Sequence, residues 1–214
     1  MVSRTSFGRA TRGTAARRLL AGALVVAAAL AVTSCGEAVR TGNSSAYLVL
    51  NQLAAAPGGG KTSTFETKLS SDVVTKGTVY EDLGQVTVSL GQKDVTSPLS
   101  PNNYVTITRY HVDYVRSDGR NTQGVDVPYS FDGGVTFTVT ESPSSAVFVL
   151  VRAQAKLEPP LISLRGAGGQ IAISTIAQVT FYGRDQVGND VSVSGSIGVN
   201  FADWGDPTTS DNGS

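Results

Sequence analysis

The strongest constraint on this chain is a repeat of two. Val191, Val193, Ile197, Val199 and Phe201 share one parity, and Ser192, Ser194, Ser196 and Asn200 fill the other. Val86, Val88 and Leu90 alternate with Thr87 and Ser89, and Val135, Phe137 and Val139 alternate with Thr136, Thr138 and Thr140. Side chains on a strand point to opposite faces in turn, so this spacing predicts strands with one wet face, as in antiparallel sheets. Ala146–Val151 is apolar on both parities and predicts a more deeply buried strand. In residues 104–116 the apolar parity changes from Val105 and Ile107 to Tyr110, Val112 and Tyr114, which predicts a β-bulge near Thr108–Arg109. Gly195 falls on the apolar parity of its strand and predicts a bend, a bulge or a close approach there. Turn-forming clusters at 97–103, 117–121, 132–134, 166–169 and 183–190 separate the runs. About seven strands with no convincing helix after residue 64 predict an all-β, two-sheet sandwich over residues 65–206. A closed barrel is the runner-up and calls for more even strand spacing.

Phe181-Tyr-Gly-Arg-Asp185-Gln-Val-Gly188-Asn189-Asp-Val-Ser-Val193 joins two alternating runs through a D-x-x-G-N turn. Asp accepts bonds from turn N–H groups, while Gly and Asn tolerate positive φ. Over residues 179–201 the chain resembles bacterial Ig-like and hyalin-repeat-like domains, which end in such a hairpin. The resemblance implies a single antiparallel Ig-like β-sandwich. The cysteine pair of antibody domains is missing, and Trp204 lies near the end of the chain rather than on a central strand.

The first 18 residues hold five arginines and no acid, and the apolar run Leu19–Val32 follows them. Fourteen residues are too few to cross a bilayer, which takes about 20. The three parts match the n-region, h-region and cleavage site of an export signal. Val32-Thr33-Ser34-Cys35 resembles the lipobox of bacterial lipoproteins, and Cys35 is the chain's one cysteine. That resemblance implies a signal peptide over 1–34 and a lipid anchor on Cys35, holding the mature protein on the bacterial cell envelope. Gly36 stands where an Asp would retain a lipoprotein at the inner membrane, so outer-membrane sorting is open to it where the cell has one. Residues 35–64 read as a tether. Within it, 46–56 is apolar and fits either a short helix or a strand. Residues 207–214 read as a disordered tail.

With the leader removed, 12 basic residues face 17 acidic ones. A net-acidic domain without a basic stripe does not match nucleic acid. One Cys and one His exclude a disulfide framework and a Cys/His zinc site. Gly60-Lys61-Thr62 imitates a phosphate loop, but a β-leaning stretch follows where the chemistry needs a helix. His111 sits opposite Tyr110 and Val112 in parity, on the wetter face, which reads as a surface histidine; Asp113 two residues on permits a His–Asp pair. No G-x-S-x-G elbow supplies a nucleophile. Asp185, Asn189, Asp190, Asp203 and Asp206 are candidate calcium oxygens, but a full strand separates Asp190 from Asp203. The sequence therefore assigns no catalytic, cofactor or metal residues. The expected function is a non-enzymatic binding or structural module, anchored to the membrane through Cys35. The envelope partner is a protein or a polysaccharide. The alternative is a small exported hydrolase using Asp118, Asp126 and Asp132 in the 117–134 loops.

Overall fold

The computed structural model of the chain describes residues 42–59 and 64–204. Cys35, Lys61 and Asp206, together with the leader and the tail, lie outside the described residues. Among the described residues eight strands follow one another: β1 (Ala46–Ala56), β2 (Lys68–Asp72), β3 (Asp82–Gln92), β4 (Val105–Val115), β5 (Phe131–Val139), β6 (Ser144–Val151), β7 (Ala172–Asp185) and β8 (Asp190–Ala202). They form two sheets, one ordered β1-β3-β6 and the other β2-β8-β7-β4-β5. Every pairing is antiparallel except β2 with β8, which run parallel. The all-β sandwich expected from the alternation is therefore the fold. A single helical turn, α1 (Ala153–Lys156), and a 3-10 turn at Leu161–Leu164 carry the chain from β6 to β7.

Period two places the core. Phe181, Val193, Ile197, Val199 and Phe201 are buried, while Ser192, Ser194 and Ser196 are exposed. The aromatic centre is Phe148 of β6, packed edge-to-face against Tyr110 of β4 at 4.9 Å and Phe181 of β7 at 5.1 Å. Gly84 of β3 makes room for it, since a Cβ there would lie 2.4 Å from the Phe148 ring. Two tyrosines of β4 reach across the layers. The Tyr110 hydroxyl donates to the Val149 carbonyl at 3.0 Å, and the Tyr114 hydroxyl donates to that of Leu150 at 2.7 Å. Burial pushes both phenols well above their ordinary pKa.

Two expectations are corrected. The sandwich begins at β1, inside the stretch assigned to the tether, so 46–56 is a strand of the three-stranded sheet. Its apolar parity switches because the register with β3 shifts between Leu50 and Gln52, and that bulge hides the strand period. β6 is an edge strand rather than a deeply buried one. Phe148 and Leu150 point inward, but Val147 faces solvent. The strands among the described residues number eight, in keeping with the seven or so expected. Of the alternatives at Gly195, the structure shows a close approach rather than a bulge: a Cβ there would meet Leu50 Cδ1 at 2.7 Å, so the glycine admits a β1 side chain from the facing sheet.

Candidate functional site

The bulge expected near Thr108–Arg109 is present, as a register shift of β4 against both β5 and β7 between Ile107 and Arg109. Two consecutive residues, Thr108 and Arg109, consequently face solvent together. The bulge also presses the β4 backbone against β7, where a Cβ on Gly183 would lie 2.5 Å from the Thr106 carbonyl oxygen. At this point the outer face of the five-stranded sheet carries a cleft of about 810 Å³ lined by Thr106, Thr108, Arg109, Tyr182, Arg184, Gln186, Asp190 and Ser192.

Arg109 lies opposite Tyr182 in the ladder, with its guanidinium carbon 4.3 Å from the ring centroid. The ring quadrupole holds the cation in place without using its N–H donors. The carboxylate nearest to it is Asp132, at 3.9 Å, beyond hydrogen-bond reach. Arg184, across the strand pair from Asp190, uses Nε on that carboxylate at 2.6 Å. Hydroxyls complete the surface: Thr106 bonds Thr138 at 3.0 Å, and Gln186 donates to Thr106 at 3.3 Å. A cationic group held over an aromatic ring, beside hydroxyls and an amide, can grip a polar ligand with acceptor oxygens.

Of the other candidate residues, Asp185 also lines this cleft, while His111, Asp113, Asp118, Asp126, Asp132 and Asp203 fall elsewhere. His111 does lie on the wetter face, but its neighbour is Asp132 of β5, with Nδ1 3.3 Å from Oδ1. Asp113 is not its partner; that carboxylate instead accepts from Gln123 at 3.4 Å. The pairing that the spacing permits is not formed, because cross-strand neighbours approach more closely than residues two apart on one strand.

Two of the loop carboxylates, Asp118 and Asp126, are each tied to a separate arginine. Asp118 takes three bonds from Arg116, at 3.0, 3.2 and 2.5 Å, and the guanidinium holds its carboxyl down at about 2. Asp126 accepts from Arg120 at 3.0 Å and from the Thr122 N–H at 3.3 Å. Burial pushes Asp126 upward, yet these donors outweigh it and leave the carboxyl below its ordinary range. Asp118, Asp126 and Asp132 are all absent from the cleft lining.

Asp185 is a turn staple, as its place in the D-x-x-G-N hairpin implies. It accepts the N–H of Val187 at 3.0 Å and of Asn189 at 2.8 Å, and Gly188 adopts φ +98°. Asp203 stands at the far end of β8, bound to the Gly166 N–H at 2.6 Å. Among the described residues no group of three His, Cys, Asp or Glu side chains is placed to hold a metal ion.

One buried constellation carries no sequence signal. Lys156 of α1 and Asp82 of β3 are each 1% exposed and lie 2.9 Å apart. Ser71 Oγ donates to the same carboxylate at 2.6 Å, and the Gly58 N–H at 2.9 Å. A lysine in AQAK reads as a solvated charge until the fold packs that turn onto the start of β3. No family model matches this chain, and no curated protein sequence matches it.

Proposed function

We propose that the chain is a lipid-anchored envelope protein whose Ig-like sandwich is a binding module, and that the cleft on the five-stranded sheet takes a polysaccharide of the envelope. One observation carries the reading: Arg109 is stacked on Tyr182 with its hydrogen-bond donors left to solvent. An arginine needed for stability alone is better served by a close carboxylate, as Arg116 and Arg120 are. The Ig-like reading is supported by strand order. Taking β1, β3, β4, β6, β7 and β8 as A, B, C, E, F and G, the sheets hold A-B-E and G-F-C in Ig-like arrangement. The anchor is supported by the leader and by the position of Cys35 directly after its apolar run.

The test is cosedimentation of the protein with insoluble envelope polysaccharide from its own cell. Arg109→Ala and Tyr182→Ala should each weaken binding about tenfold, the loss expected when roughly 1.4 kcal/mol of contact is removed. Binding unchanged in both variants would place the contact elsewhere.

A further inference from the structure

The two most exposed large hydrophobic side chains among the described residues are Val95, at 85%, and Val187, at 70%. They lie 92 positions apart in the chain, yet the fold brings their loops to the same end of the sandwich. Val187 caps the β7–β8 hairpin, whose Asp185 pairs with Val105 at the start of β4. Val95 follows β3, whose last residue, Gln92, pairs with Ala46 at the start of β1. An aspartate holds each tip. Asp185 accepts the Val187 N–H, and Asp94 accepts the N–H of Thr96 at 2.9 Å and the Ser97 hydroxyl at 2.9 Å. Turn positions that ordinarily carry polar residues therefore present valine to solvent on ordered loops.

The chain from Cys35 arrives at this same end. The Lys93 N–H donates to the Ser45 carbonyl at 3.2 Å and its ammonium to that of Gly42, while Ser44 bonds Asp185. Seven residue steps separate Cys35 from Gly42 and span at most about 25 Å, at about 3.3–3.6 Å per residue. An acyl anchor on Cys35 thus keeps these loops at high effective concentration next to the bilayer surface. The other end of β8, with Trp204, lies about 40 Å away, at roughly 3.3 Å per residue over the strand.

We infer that this end of the sandwich docks on the membrane that holds the anchor, with Val95 and Val187 inserted among the lipid headgroups. The inference rests on the anchored reading above and adds an orientation to it. The cleft is then held beside the bilayer, and the Trp204 end points away from it. The occupant is the lipid surface itself rather than a second protein, because the tether delivers these two loops to lipid first.

The chain's single tryptophan makes the test direct. The lipidated protein, purified in detergent, is reconstituted into phosphatidylcholine vesicles whose acyl chains carry bromine near the headgroup. Wild-type Trp204 should keep its fluorescence. In a Trp204→Phe background, Val187→Trp and, separately, Val95→Trp should each lose at least half of theirs. Each variant alters an exposed turn, so folding is checked by an unchanged circular dichroism spectrum. Protein that pellets with vesicles but shows no quenching at 95 or 187 overturns the docking while leaving the anchor intact. Equal quenching at 187 and 204 overturns it as well, since the domain would then lie flat. Wild-type protein that stays in the supernatant, as Cys35→Ser is expected to, overturns both the anchor and the docking.

Discussion

At the scale of single residues, burial outweighs bond length. The Arg184–Asp190 contact is the shorter of two ion pairs, at 2.6 Å, but its side chains are 70% and 79% exposed. Lys156–Asp82 is longer, at 2.9 Å, with both partners sealed from water. Water screens an exposed pair down to about 0–1 kcal/mol, whereas a buried charge stripped of its partner costs about 3–5 kcal/mol. Lys156→Met should therefore lower the unfolding free energy by about 3–5 kcal/mol in urea, with Ser71 and the Gly58 N–H left as the neutral donors to Asp82. Arg184→Met should leave the urea midpoint nearly unchanged, because water already screens that exposed pair. Equal losses would mean that water reaches Asp82. None of this was readable beforehand, because a lysine's burial depends on what packs over it.

At the scale of elements, a strand is legible when its phase survives along its length. β8 keeps one parity from Val191 to Phe201, and its inner and outer residues followed directly from spacing. Val193→Asp puts a carboxylate opposite Phe181 inside the core and should cost several kcal/mol, enough to unfold a domain of ordinary stability. Ser194→Asp, exposed beside Thr180, should stay within about 0.5 kcal/mol. Denaturation midpoints separate the two, and a larger loss for the serine variant would turn the strand over. β4 and β1 both contain a bulge, but only that of β4 was foreseen. Val105 and Ile107 before it and Tyr110, Val112 and Tyr114 after it are large enough to show both phases. In β1 the second phase is written largely in alanine, Ala54 to Ala56, which fits a helix face as well as a strand. β2 has one inward aliphatic, Leu69, too little for any period.

At the scale of the whole molecule, stability should respond to acid in a defined window. Hydrogen bonds from Arg116 hold Asp118 down at about 2, and Asp126 and Asp185 are held below their ordinary range by donors that overcome burial. A carboxyl depressed in the folded state stabilises above its unfolded pKa, about 3.9 for Asp, and that stability is lost as pH falls through the folded value. The Tm should be level between about pH 7 and 5 and fall steadily below about pH 4. At the alkaline end the sign reverses. Burial raises Tyr110 and Tyr114, so their contribution is complete below the unfolded value, about 10, and is lost above it. A Tm that drops between pH 7 and 5, measured by circular dichroism, would contradict this ordering.

The class of the fold, the inner face of the last hairpin and the staple role of Asp185 were all present in local pattern, because alternation and turn chemistry act over a few residues. The sheet partners, the Arg109–Tyr182 stack, the His111–Asp132 contact and the sealed Lys156–Asp82 pair needed the folded chain. Each joins residues from different elements, and a one-residue change of register would separate them. Period two says which face a side chain takes but not which strand lies beside it. That choice depends on how the whole core packs.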